Sequence, residues 1–85
     1  MNNYFVSKEE NGTVIKVALF CALSYSVADS ALHQAVDPFD WDRYSLEETN
    51  GTSSDSLPTY SISLDDDGNA CVEGEIVSYK NLPLA

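Results

Sequence analysis

The sequence predicts an α+β domain, a small antiparallel β-sheet of four to five strands with one helix packed on one face. Three observations carry that expectation. Short segments alternate apolar and polar side chains with period two, as in Thr59 to Leu64, where Tyr60, Ile62 and Leu64 interleave with Thr59, Ser61 and Ser63. One segment repeats apolar residues at helical spacing, through Ala28, Ala31, Leu32 and Ala35. Turn-forming runs, Asn11-Gly12 and Asp65-Asp66-Asp67-Gly68-Asn69, separate the alternating segments. At 85 residues the chain forms a single domain, residues 1–85.

Tyr4 and Val6 alternate with Phe5 and Ser7 in a short first strand, which ends at Glu9-Glu10-Asn11-Gly12, where Asn-Gly readily takes the positive φ of a hairpin turn. A second strand runs from Thr13 to Phe20, with Val14, Lys16, Ala18 and Phe20 on one side and Ile15, Val17 and Leu19 on the other. The Ile15, Val17, Leu19 side is expected to face the core. Ser26 followed three residues later by Asp29 has the spacing of a capping box and predicts a helix over residues 27–36. Ala18 to Leu23 also holds good helix formers, so propensity alone permits an earlier start. Asp37-Pro38 ends the helix, because the residue before proline is pushed out of the helical region.

Trp41, Tyr44 and Leu46 predict a third strand from Trp41 to Glu48, with a bulge where the apolar spacing slips from three to two. Thr49 to Pro58 is polar and aperiodic, and is expected to be a mobile surface loop. Thr59 to Leu64 and an extended run from Ala70 to Tyr79 complete the order ββαβββ.

Fourteen Asp and Glu against four Lys and Arg give a formal charge of −10 and a sequence pI near 4.1. Such a chain is repelled by duplex DNA, RNA and anionic membranes, and its natural partners are positively charged. A chain this small buries only roughly 60–65% of its surface on folding, so a surface function is expected before a deep catalytic pocket. The longest apolar run, Val17 to Leu23, has seven residues, against the ~20 that a helix needs to cross a bilayer. A soluble, intracellular protein is the expectation.

The acids are unevenly placed. Up to residue 28, Glu9 and Glu10 balance Lys8 and Lys16. From 29 to 75 there are Asp29, Asp37, Asp40, Asp42, Glu47, Glu48, Asp55, Asp65, Asp66, Asp67, Glu73 and Glu75 against Arg43 alone. Solvation and recognition both account for such a field. Asp40 with Asp42, and Glu73 with Glu75, stand two residues apart; on extended backbone each pair would project from one face about 6.8 Å apart, an interval like that between phosphates. This surface is expected to enter the basic groove of a nucleic-acid-binding protein, with Trp41 and Tyr44 as amphipathic anchors, although for Trp41 taken alone core packing is the simpler role. The expected partner-binding set is Asp37, Asp40, Trp41, Asp42, Tyr44, Glu47, Glu48, Asp55, Asp65, Asp66, Asp67, Glu73 and Glu75.

Other chemistries fit less well. With Gly68 at position six of a calcium loop, Ser63, Asp65 and Asp67 fall on ligand positions, but Gly74 falls where the bidentate acid belongs. A hairpin turn explains the same residues. Cys21, Cys71 and a single His33 lack the paired spacing of a zinc site, so neither metal nor cofactor is expected. The two cysteines could form a disulfide, but their apolar segments suit buried free thiols. Asp37, Asp40 and Asp42 near Trp41 are the one spot for acid–base chemistry, and they are expected to be solvated, so no catalytic residue is assigned.

The opening Met1-Asn2-Asn3-Tyr4, the strand Val14-Ile15-Lys16-Val17-Ala18 feeding an Ala-rich helix, and Trp41-Asp42-Arg43-Tyr44 leading into Glu47-Glu48-Thr49-Asn50-Gly51 give a layout that resembles the small phage-encoded anti-CRISPR proteins. It resembles most the inhibitors of type I systems, with type I-C as the expected subtype. The resemblance implies a non-enzymatic, stoichiometric inhibitor acting in the cytoplasm of the infected bacterial host, where it places an acidic, DNA-like face on a subunit of the surveillance complex. Relatives of that kind also block nuclease recruitment or a subunit interface. An immunity protein or antitoxin neutralising a basic nuclease, and a small calcium-binding module, are the alternatives of comparable composition.

Overall fold

The structure is a computed structural model and describes residues 1–49, 57–82 and 84. Among the described residues, six strands, one α-helix and one 3₁₀ turn follow in the order β1 (Asn2–Glu10), β2 (Thr13–Ala22), α1 (Tyr25–Ala35), the 3₁₀ turn (Pro38–Arg43), β3 (Tyr44–Thr49), β4 (Thr59–Leu64), β5 (Ala70–Val72) and β6 (Glu75–Ile76). The strands form one sheet in the order β3-β1-β2-β4-β5-β6, with α1 packed on one face. The expected α+β class therefore holds, while the sheet departs from expectation in two ways. It has six strands, because the run from Ala70 to Tyr79 breaks at Glu73-Gly74 into a hairpin. It is mixed, because β2 pairs with β4 in parallel while every other pair is antiparallel.

The β1–β2 hairpin turns at Asn11 (φ 53°) and Gly12 (φ 81°), as the Asn-Gly pair requires. Along it, Val6 pairs with Ala18 but Ser7 pairs with Lys16, so Val17 is one residue in excess, a β-bulge. An extra residue exchanges the two faces of a strand. Ile15 lies on the helix side before the bulge, and Ala18, Phe20 and Ala22 lie there after it. The core face of β2 is thus Ala18, Phe20 and Ala22, not the expected Ile15, Val17 and Leu19. Leu19 is buried on the opposite face beside its cross-strand partner Phe5, over whose ring the Lys16 ammonium lies at 4.2 Å.

Ser24, in extended conformation, caps α1 through its Oγ, which accepts from the Val27 N–H at 3.4 Å. The helix starts two residues before the expected position, and the Ala18 to Leu23 segment belongs mainly to β2 rather than to a longer helix. It ends at Ala35, with Val36 and Asp37 extended ahead of Pro38. Val27, Ala28, Ala31, Leu32 and Ala35 pack on Tyr4, Val6, Ala18, Phe20 and Ile62 of the sheet. Alanines on both sides let helix and sheet approach closely. Fully buried Val6, Phe20, Ile62 and Leu82 each contribute on the order of 1.5–3 kcal/mol.

The third strand is shorter than expected. Residues 41–43 belong to the 3₁₀ turn, and the slip in apolar spacing marks the change from a three-residue turn period to a two-residue strand period, not a bulge. Residues 50–56 of the expected surface loop lie outside the described residues.

One helix side chain ties the far edge of the sheet down. Gln34 Nε2 donates to the Ala70 and Val77 carbonyls, at 3.0 Å each, and Oε1 accepts from the Ala70 N–H at 2.8 Å. Val77 N–H also donates to the Ala70 carbonyl at 2.9 Å, so β5 and the segment after β6 close around this amide. Gln34→Leu strands the fully buried Ala70 N–H and should cost about 1–3 kcal/mol in urea unfolding, whereas Ser26→Ala on the exposed side of α1 should stay within about 0.5 kcal/mol.

Candidate functional site

The segment Asp37-Pro38-Phe39-Asp40-Trp41-Asp42-Arg43 makes the sharpest feature of the surface. Asp37 Oδ1 accepts from the Phe39 N–H at 3.0 Å, its carbonyl accepts from the Asp40 N–H at 2.8 Å, and Pro38 fixes φ at the first position. Trp41 Nε1 donates to the Val36 carbonyl at 2.9 Å, and its ring lies 4.5 Å from that of His33. Trp41 thus pins the turn to the C-terminal end of α1 while remaining 40% exposed.

A 3₁₀ turn has three residues per turn, so side chains three apart share a side. Trp41 faces the helix end. Asp40 and Arg43 form a loose exposed pair at 3.9 Å. Phe39 and Asp42 form the outward ridge, with Phe39 95% exposed. Beside the turn a groove of about 560 Å³ is lined by His33, Val36, Asp37, Asp40, Tyr44 and Tyr79. Tyr44 is half-buried there, and its hydroxyl donates to the Leu84 carbonyl at 3.5 Å.

The two carboxylate pairs expected as ladders are not ladders. Asp40 and Asp42 sit on the 3₁₀ turn, where residues two apart point to different sides. Glu73 occupies a two-residue turn with φ 53°, followed by Gly74 at φ 82°, while Glu75 belongs to β6 and pairs with Val72. Glu47 and Glu48 are exposed on opposite faces of the edge strand β3, opposite Phe5 and Tyr4 respectively.

The acids lie on several different elements. Glu48 lies in a row with Tyr4, Phe20 and Tyr60, three strand spacings or roughly 14 Å from Tyr60; Asp65 lies five residues farther along, roughly 16 Å. Asp37, Asp40 and Asp42 lie in the segment between α1 and β3. The turn and the start of β3 bring together Asp37, Asp40, Trp41, Asp42 and Tyr44, while Glu47 and Glu48 belong to β3, Asp65, Asp66 and Asp67 to the turn between β4 and β5, and Glu73 and Glu75 to the last hairpin. Asp55 lies outside the described residues. Sequence reasoning missed Phe39, His33 and Tyr79. The signal for Phe39 was present: Asp-Pro opens a capped turn, and aromatics alternating with acids inside one cannot all turn inward.

The Asp65 carboxylate serves its own hairpin. Oδ1 accepts from the Asp67 N–H at 2.9 Å and the Asn69 N–H at 2.8 Å, and Gly68 (φ 84°) closes the turn by donating to the Asp65 carbonyl at 3.1 Å. These bonds, the one from Asn69 foremost, hold its pKa below the ordinary 3.8. No described group of three or more His, Cys, Asp or Glu is placed to hold a metal. Cys21 and Cys71 are free thiols, on β2 and β5. Burial pushes the Cys71 thiol up, and the nearby Asp65 charge adds to it.

Because the folded pKa of Asp65 is lowered, its contribution to stability is present above the unfolded value and is lost as pH falls through the folded one. Asp65→Asn keeps the Oδ1 acceptor and removes the charge. Urea midpoints of the wild type should therefore decline more steeply below pH about 4 than those of Asp65→Asn, and parallel curves would contradict the assignment.

No described helix is long and apolar enough to cross a membrane. Comparison with protein families, with curated proteins and with solved structures finds no match to this chain.

Proposed function

We propose that this protein is a non-enzymatic inhibitor that binds a basic, nucleic-acid-handling protein through its carboxylates, with a subunit of a type I CRISPR surveillance complex as the partner that its resemblance implies. The supporting observation is that the chain leaves its acids uncompensated. Thirteen of the 14 acids are described, all except Asp55, and none is buried. Among the described residues only Asp40 and Asp29 face a basic group, Arg43 at 3.9 Å and His33 at 3.5 Å. The lysines are held elsewhere. Lys8 lies 5.9 Å from the centre of the Tyr44 ring, Lys16 4.2 Å from that of Phe5 and Lys80 6.0 Å from that of Tyr79.

Mutual repulsion among unpaired carboxylates lowers stability, so a partner that supplies Lys and Arg relieves a strain the free protein carries. Occupation of a groove that normally tracks phosphates follows from the sign of the charge. It does not depend on a regular phosphate-like ladder, so mimicry here means charge of the right sign in the right groove. The parallel with DNA stops there.

Titrating the protein into purified type I-C surveillance complex with a fluorescent target duplex tests the proposal. The expected result is loss of DNA binding, complete at one inhibitor per blocked site. Association with DNA binding intact would move the mechanism to nuclease recruitment. No association would remove the CRISPR assignment and favour a nuclease-neutralising immunity protein.

A further inference from the structure

Phe39, 95% exposed, is the most exposed large apolar side chain among the described residues. Its backbone is held on both sides, by the Asp37 cap and by Trp41 bonded to Val36, so the ring is presented from a fixed turn rather than from a loose loop. We infer that the 3₁₀ turn is the docking surface, with Phe39 as an anchor that enters an apolar pocket rimmed by Lys or Arg on a partner protein, and with Asp42, Asp40 and Asp37 as the carboxylates that pair with the rim. The identification of a basic partner rests on the function proposed above; the location of the contact rests on this geometry.

Charge complementarity selects the occupant. Asp42 shares the outward ridge with Phe39, and Asp37 and Asp40 edge the adjoining groove. A guanidinium beside the Phe39 ring can stack on its face and reach one of these carboxylates, a combination that a purely apolar or acidic partner cannot use. A second copy of the chain is a poor occupant, since it brings another −10 to the same surface. Interfaces of this kind concentrate their energy in a central aromatic group surrounded by polar contacts, and this turn has that layout. The hairpin acids differ: Asp65 is committed to its own turn, and Glu73 and Glu75 have no comparably presented aromatic in their turn.

The test needs no knowledge of the natural partner. The full chain is titrated, with NMR detection of backbone amides, against two eight-residue peptides, one alternating Arg with Leu and one alternating Arg with Ser. The Arg–Leu peptide should shift residues 37–43 and the adjoining groove first, and should bind more tightly than the Arg–Ser peptide. Phe39→Ala should weaken the Arg–Leu peptide by roughly tenfold or more and the Arg–Ser peptide by less than about twofold, as expected for loss of an apolar anchor. The exposed position predicts an unchanged unfolding midpoint for Phe39→Ala, and Phe39→Leu should keep part of the preference.

Shifts spread evenly over all the acids, or centred on Asp65 to Asp67, would overturn the inference, as would equal affinities of wild type and Phe39→Ala for the Arg–Leu peptide. Concentration-dependent shifts of the same residues without peptide would overturn it in favour of a second copy. Peptide binding at the turn together with no association to the surveillance complex would leave the docking surface standing and remove only the CRISPR assignment.

Discussion

Opposite Val6 and Ser7, β2 carries one residue more than a regular ladder admits, and the placement of every side chain on that strand follows from it. Side chains alternate between faces without exception along a strand, so the extra Val17 exchanges the faces beyond it. Ala18, Phe20 and Ala22 turn toward α1, where Ala28, Ala31 and Ala35 accept them at close range. Lys16 turns away and lays its ammonium over Phe5. Were the alternation unbroken from Ile15, Leu19 would meet the helix and Phe20 would face the other way. The small residues of α1 match the first arrangement, because alanines on both surfaces let backbone approach backbone around one large ring.

From that packing the position of the 3₁₀ turn follows. The helix lies across the sheet so that Gln34 reaches β5 and the chain after β6, and its last turn ends above the start of β3. Asp37-Pro38 then forbids further helix, and six residues have to reverse the chain into the edge of the sheet. Trp41 can bond Val36 only because the helix end is fixed there. An exposed Phe39 is thus the outward product of an inward requirement, since in a three-residue period one side chain in three must face away from the helix that holds the turn.

How legible was this in the amino-acid sequence? The hairpins at Asn11-Gly12 and Asp65 to Asn69, and strand β4, could be read because each is fixed by local chemistry: positive φ at Asn and Gly, an aspartate accepting backbone N–H groups, and strict alternation. The face of β2 could not, because a bulge is set by the partner strand. The parallel pairing of β2 with β4 is likewise a tertiary choice. Glu73 at φ 53° hid the last hairpin, since glutamate gives no sign of a left-handed turn. For the site, Asp37 to Tyr44 was recognisable as a cluster of acids and aromatics, yet reading it as strand paired Asp40 with Asp42 and left Phe39 unnoticed. Periods of three and two differ by one residue, and Trp41, Tyr44 and Leu46 fit both in turn.

The charge is legible in sequence and structure alike. The chain keeps 14 carboxylates, places all the described ones at the surface and holds its lysines over aromatic rings. Exposed charges of one sign act over about 8 Å at physiological ionic strength and speed encounter with a surface of the opposite sign. The rate of association with the proposed partner, a type I surveillance complex, measured against salt, therefore tests the account most directly. It should fall roughly tenfold or more between about 50 and 500 mM salt, with a much smaller change in dissociation rate. An association rate indifferent to salt would contradict recognition through the acidic surface.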